Sequence, residues 1–172
     1  MRKLKRLDPE EVKTRSRTIQ KKLFGQPAFK KAGSVCFYAS MPTEVDTHPM
    51  IKKTLAMGKR VLLPQANLEN KELEIYEIRE RKDLQKGLFG IWEPDPDRAR
   101  LADPREADLV LVPGLLFDKK NNRLGRGLGF YDRFLKRLSR KVIKIGLAFS
   151  FQVVESIPAE AHDIPVDLVL TD

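Results

Sequence analysis

Residues 109–135 read LVLVPGLLFDKKNNRLGRGLGFYDRFL, and this stretch sets the architecture. Leu109 to Val112 is an uncharged apolar run with the length and β-branching of a buried strand. Gly125, Gly127 and Gly129 follow at alternate positions, interleaved with Arg123 and Arg126. From Gly129 to Arg140 the spacing turns helical. Phe130, Phe134 and Leu138 recur at i, i+4 and i+8, and Tyr131 with Leu135 widens the face. A strand, a cationic glycine loop and a helix start are suited together to holding an anion. Glycine lets backbone N–H groups approach closely, the helix start adds partial positive charge, and arginine adds paired donors.

Working outward, Asp8-Pro9-Glu10-Glu11 is a helix start, and Val12, Ile19 and Leu23 give a sparse apolar stripe. This predicts a helix over 8–24, closed by Gly25 and Pro27. Strands are expected at Ser34 to Ala39, Arg60 to Leu63, Leu73 to Ile78, Val142 to Phe149 and Val166 to Leu170, and a helix at Pro49 to Met57. Ser40 to Asp46 reads as a polar loop, and Gly87 to Asp108, rich in Pro, Gly and Asp, as a long one. Strands alternating with helices imply an α/β layered sheet.

The chain has 172 residues, the size of one domain spanning 1–172, with 41% hydrophobic and 33% charged residues. No apolar run approaches the ~18 residues of a membrane span. No long apolar segment follows the basic start, which argues against a secretory signal. The single cysteine, Cys36, lies in an apolar run and reads as a buried thiol in a reducing, cytoplasmic setting. The net charge of +9 is unevenly spread. Residues 1–31 hold 11 Lys and Arg against 3 acids, and residues 119–144 hold 10 against 1. The last 28 residues have no Lys or Arg and five acids. Clustered cation calls for an anionic partner: phosphate, a polyanionic small molecule or nucleic acid.

The loop is neither of two common phosphate loops. The pattern G-x-x-x-x-G-K-[ST] is absent, and the spacing is G-x-G-x-G rather than G-x-G-x-x-G. By itself it also admits the plainer reading of a glycine-rich turn with a solvated cationic face. The wider string, Val112 to Asp118 and then Asn122 to Leu135, resembles the 5-formyltetrahydrofolate cyclo-ligase family, which carries a P-G…F-D…R-L-G-x-G-x-G-[YF]-Y-D string here. The loop Ser40 to Thr47, the segment Gly87 to Pro94, Gly146 to Phe149 and His162 to Asp167 are similar to that family too. Leu128 stands where the family often has lysine or glycine, and Phe130 where tyrosine is frequent. The family's early K-x-x-L-R segment, which helps hold ATP phosphate, precedes the point where Met1 to Leu7 align. Lys3 and Lys5 are the nearest cations, and no N-terminal residue is carried over.

The resemblance implies a three-layer α/β/α sandwich with a mixed, largely parallel sheet, and a site at the strands' C-terminal ends. It implies a monomeric enzyme that cyclises 5-formyltetrahydrofolate to 5,10-methenyltetrahydrofolate, with ATP as co-substrate and Mg²⁺. Residue by residue, Arg123, Leu124, Gly125, Arg126, Gly127, Leu128, Gly129, Phe130 and Tyr131 match ATP-binding positions. Arg126, Tyr131 and Glu44 match catalytic ones. Ala39, Glu44, Phe89, Phe130 and Tyr131 match the folate wall, and Asp132 and Asp167 the metal positions. On residues alone each has a plainer reading. Asp132 suits a helix's first turn by the dipole, Asp167 suits the solvent face of an edge strand, and Glu44 suits an ordinary loop acid. His48 and His162 form no catalytic or metal set with Cys36 by their spacing. The alternative of another class is a basic nucleic-acid binder or a non-catalytic folate- or nucleotide-binding member. No helix-turn-helix, zinc, RRM or KH signature supports nucleic acid, and the acidic segment from Glu93 to Asp108 interrupts any basic stripe.

Overall fold

In the computed structural model, residues 7–87, 91–158, 160 and 163–172 are described. In chain order the elements are α1 (Pro9–Gly25), α2 (Pro27–Lys31), β1 (Ser34–Cys36), α3 (His48–Ala56), β2 (Arg60–Asn67), β3 (Glu72–Ile78), β4 (Leu84–Lys86) and β5 (Trp92–Pro94). There follow β6 (Arg100–Ala102), β7 (Leu109–Val112), β8 (Leu116–Asp118), β9 (Arg123–Leu124), α4 (Phe130–Lys136), β10 (Ile143–Leu147), β11 (Val153–Val154) and β12 (Leu168–Leu170).

Seven strands form one sheet in the order β12-β10-β7-β1-β2-β3-β6. From β12 to β2 every pairing is parallel, and β3 and β6 add antiparallel strands at one edge. The parallel strands are apolar on both faces because both are covered. Alternate residues go to opposite sides. Val35, Phe37, Val61, Leu63, Leu109, Leu111, Ile145 and Leu147 pack with Ile19 and Leu23 of α1, Phe29 of α2 and Met50 and Ile51 of α3. Cys36, Leu62, Ile75, Val110 and Val112 pack instead with Phe134 and Leu135 of α4 and with Phe117. The expected α/β/α layering is present. The α4 layer is shared with a small three-stranded sheet, β11-β8-β9.

The chain leaves β1 toward β2 on one side and returns to place β7 on the other. The loops after β1 and β7 therefore diverge over the same end of the sheet. Such a switch point is where open α/β sheets make their ligand crevice.

Several expected boundaries shift. The first strand ends at Cys36 rather than Ala39, and β2 runs on to Asn67, paired with β3 through a long hairpin. The last helix stops at Lys136 rather than Arg140, because Val142 N–H donates to Ser139 O in a turn that feeds β10. The long loop from 87 to 108 contains β5, β6 and a 3₁₀ turn at Pro104–Glu106. These pieces have three residues each, too few for periodicity to register. The β8–β9 hairpin also lies hidden inside the glycine string, as does α2 behind Pro27.

Candidate functional site

Two loops meet over the switch point. The loop after β1 is tied at its neck by reciprocal bonds. Ser40 N–H donates to Thr47 Oγ1 at 3.2 Å, and Thr47 N–H donates to Ser40 Oγ at 3.1 Å. Thr47 Oγ1 also donates to Tyr38 O at 2.5 Å, and Tyr38 OH donates to Val45 O at 3.3 Å. Thr47 is fully buried. The loop so fixed turns at Met41 to Glu44, and the Glu44 carboxylate folds back to accept Met41 N–H at 2.9 Å. Its other oxygen lies 3.4 Å from Arg126 Nη2 in the glycine loop. Glu44 is the more enclosed partner, at 17% side-chain exposure against 50% for Arg126. Burial pushes the Glu44 carboxyl above its ordinary value, against the Met41 N–H and Arg126, which pull it down.

The glycine loop itself is shaped by backbone and by one buried cation. Gly127 and Gly129 have φ of 87° and 66°, a region costly for any residue with a Cβ. A Cβ on Gly125 would sit 2.6 Å from Arg123 Nη1. Arg123, at 4% side-chain exposure, donates from Nη2 to Asp132 Oδ1 at 2.7 Å, and its guanidinium lies 5.6 Å from the Tyr131 ring centroid. Its Nε is buried with no acceptor among the described residues. Burial drives the Tyr131 phenol well above its usual value, with Cys36 and Glu44 adding to this and Arg123 opposing it. Tyr131 meets Phe134 edge-on at 6.1 Å, and Phe130 lies under Arg133 at 5.4 Å. Leu128 is exposed, and Leu124 is exposed as well.

The structure thus brings together Glu44, Arg126, Arg123, Tyr131 and the three glycines, with the two arginines in different surroundings. Arg123 was expected to face phosphate, yet it is buried and committed to Asp132. Arg126 is the arginine left accessible. Asp132 and Asp167 were the expected metal positions, one or both to hold Mg²⁺. Asp167 precedes β12 and accepts from Lys144 N–H at 2.7 Å and Lys144 Nζ at 2.9 Å, where the parallel strands begin. Asp132 lies in the first turn of α4, whose neighbours Arg133 and Arg137 reach Lys71 and Glu72 in the β2–β3 hairpin, past the end of β2. The two carboxylates have separate counter-cations, Arg123 for Asp132 and Lys144 for Asp167. Among the described residues no group of three or more His, Cys, Asp or Glu is arranged to hold a metal. Phe89 and His162 lie outside the described residues.

Ala39 does line a cavity, of about 640 Å³, between α3, β2 and the β4–β5 pair. Its floor is Ile51, Leu55, Leu63, Ile78 and Leu84, and Trp92 closes one side. Neither Glu44 nor the glycine loop lines it. Sequence reading missed the Ser40–Thr47 clamp. Its signal was two hydroxyl residues seven apart flanking a turn.

Comparison with known proteins decides the family. The model of the 5-formyltetrahydrofolate cyclo-ligase family matches residues 1–172. The chain belongs to that family. The 5-formyltetrahydrofolate cyclo-ligase of Mus musculus is 30% identical over 177 residues, covering 98% of this chain and 87% of the mouse protein. That of Haemophilus influenzae is 35% identical over 140 residues, covering 80% of this chain and 74% of its own. The solution structure of Aquifex aeolicus 5,10-methenyltetrahydrofolate synthetase superposes with a TM-score of 0.85 at 38% identity, covering 98% of this chain and 84% of that one. Membership in the cyclo-ligase family makes the chain an enzyme of the ligase class rather than a binding module. Among the described residues no helix is long and apolar enough to cross a membrane.

Proposed function

We propose that this cyclo-ligase closes 5-formyltetrahydrofolate to 5,10-methenyltetrahydrofolate while ATP becomes ADP and phosphate. The observation that carries the reading is the meeting of Arg126 with Glu44, 82 residues apart in sequence, over the switch point. One loop offers backbone N–H groups and an accessible guanidinium, and the other offers an enclosed carboxylate. A reaction that joins a polyphosphate to a neutral, nitrogen-rich ring needs both.

In this reading the formyl oxygen attacks the γ-phosphorus, and the bond to ADP breaks. N5 donates its lone pair and the carbon becomes an iminium phosphate. N10 attacks that carbon, the C–O bond breaks, and phosphate leaves with the electron pair while N10 gives up its proton. Phosphoryl transfer depends on positioning and charge neutralisation. The backbone from Leu124 to Phe130 lines the phosphates, and Arg126 neutralises them. Mg²⁺ arrives as part of the co-substrate MgATP, bound to phosphate oxygens, as this ion usually is. Glu44 orients the N10 side of the folate, and Tyr131 and Phe130 back the ring. Arg123 holds Tyr131 and Asp132 in place. The enzyme works as a monomer in a reducing compartment such as the cytoplasm, where the buried Cys36 stays a thiol.

The test is direct. The chain is incubated with 5-formyltetrahydrofolate and MgATP, and methenyl absorbance near the visible edge is followed. A rise that needs both substrates is expected. No rise, together with salt-sensitive retention of DNA, favours the nucleic-acid reading instead.

A further inference from the structure

We propose that nucleotide binding draws Arg126 off Glu44 onto phosphate, and that Glu44 then takes up a proton from solvent. The inference rests on the reading that the glycine loop holds ATP phosphates. It goes beyond that reading by coupling the two halves of the site.

Groups from several elements surround Glu44. From its own loop comes Met41 N–H, at 2.9 Å. From the glycine loop comes Arg126, at 3.4 Å. Tyr38, two residues beyond β1, and Tyr131, on α4, are the phenols close enough to interact with its charge. Beyond these, Asp46 acts on Tyr38, and Cys36 and Arg123 act on Tyr131. Among the described residues Arg126 is the one cation within ion-pair distance of Glu44. Glu44 is likewise the one acid within ion-pair distance of Arg126.

The two partners differ in freedom. Arg126 is half exposed on a loop with glycine on both sides, so its guanidinium can turn. Glu44 is mostly enclosed and its neck is clamped by Ser40 and Thr47. A polyphosphate offers more negative charge than one carboxylate, and it takes arginine bidentately. When Arg126 turns, Glu44 keeps one backbone N–H, from Met41, and loses its counter-charge. A poorly hydrated carboxylate without a cation neutralises by protonation. The balance is simple. One proton moves from solvent to a Glu44 oxygen, no other bond changes, and the positive charge that had offset Glu44 now offsets phosphate. Protonated Glu44 is a hydrogen-bond donor, so the folate half of the site changes character only after ATP is in place.

Proton uptake is read calorimetrically. The full chain is titrated with Mg²⁺ and a non-hydrolysable ATP analogue at pH 7, in buffers of different ionisation enthalpy. The same titration is run on Glu44→Gln, which keeps size and shape. The analogue's own phosphate protonation is common to both proteins, so the difference between them isolates Glu44. Wild type is expected to take up more protons per nucleotide than Glu44→Gln. Arg126→Met, in which Glu44 lacks its cation beforehand, is expected to lose that excess and to bind the analogue at least tenfold more weakly. Equal uptake in wild type and Glu44→Gln overturns the exchange while leaving nucleotide binding intact. No binding by wild type refutes the glycine-loop reading itself, and the exchange with it.

Discussion

Arg123 Nη2 lies 2.7 Å from Asp132 Oδ1, and this pair joins the start of the glycine loop to the first turn of α4. The pair is asymmetric. Arg123 is almost fully enclosed, and its Nε already lacks an acceptor among the described residues, whereas Asp132 still reaches solvent. The arginine depends on the aspartate more than the reverse.

Asp132→Asn is therefore expected to destabilise the fold as well as slow turnover. Removing one partner of an enclosed pair leaves a charge without compensation, at a cost of ~3 kcal/mol. Arg123→Met leaves a partly solvated carboxylate and should cost less. Urea unfolding of both variants checks the order. A wild-type midpoint for Asp132→Asn would mean that Asp132 acts on a ligand alone.

The glycines of the loop divide by mechanism. A Cβ at Gly127 meets nothing within 4 Å, so Gly127→Ala is strained only through its φ of 87°, at about 1–2 kcal/mol. Gly125→Ala instead collides with Arg123 Nη1 and must displace the guanidinium from Asp132. Both variants should weaken nucleotide binding. Gly125→Ala should in addition disturb the environment of Tyr131, read as a change in near-ultraviolet circular dichroism. An unchanged Tyr131 signal would show that Arg123 yields without leaving its place.

Much of this was legible beforehand and some was not, for physical reasons. The parallel strands were readable because burial on both faces removes charge from them, as in Leu109 to Val112. The helix Pro9–Gly25 was readable from its cap and stripe. The meeting of Glu44 with the glycine loop was implied by family likeness and not by spacing, because 82 residues separate Glu44 from Arg126. The enclosure of Arg123 beside Asp132 was not legible, since sequence shows a cation but not its burial. Whether a carboxylate beside a helix start meets a metal or an arginine depends on tertiary contacts, and Asp132 shows this. The same holds for Asp167, whose partner Lys144 lies on a neighbouring strand.

Phe117 gives a prediction about packing. Its ring fills the space over two glycines. A Cβ at Gly146 would lie 2.6 Å from it, and one at Gly114 2.7 Å. Phe117 is fully buried and its strand β8 bridges β9 and β11, so the ring cannot retreat to solvent. Gly146→Ala is expected to cost about 1–3 kcal/mol by overpacking. Phe117→Leu should recover part of that loss in the double variant while destabilising the wild type. Additive losses in a double-mutant cycle would refute the contact.

Acid sensitivity should concentrate at the β3–β6 edge. Glu106 Oε2 sits 2.9 Å from Arg100 Nη2 and 2.5 Å from Arg60 Nη2, and its Oε1 accepts Asp103 N–H at 3.0 Å. Arg100 first, then Arg60 and the Asp103 N–H, hold its carboxyl down to about 2, from an ordinary 4.5. A group whose folded value is lowered stabilises the fold above its unfolded value and loses that contribution as pH falls through the folded one. The window is therefore between about pH 4.5 and pH 2. Glu77 shares both arginines and is lowered as well, though its burial opposes them, so the two acids act as one cluster. Solvent reaches Glu106, which keeps the effect modest. Glu106→Gln is expected to lower the melting temperature at pH 6 and to match wild type near pH 2, so that the gap closes on acidification. A gap that stays constant from pH 6 to pH 2 would assign the loss to packing rather than charge.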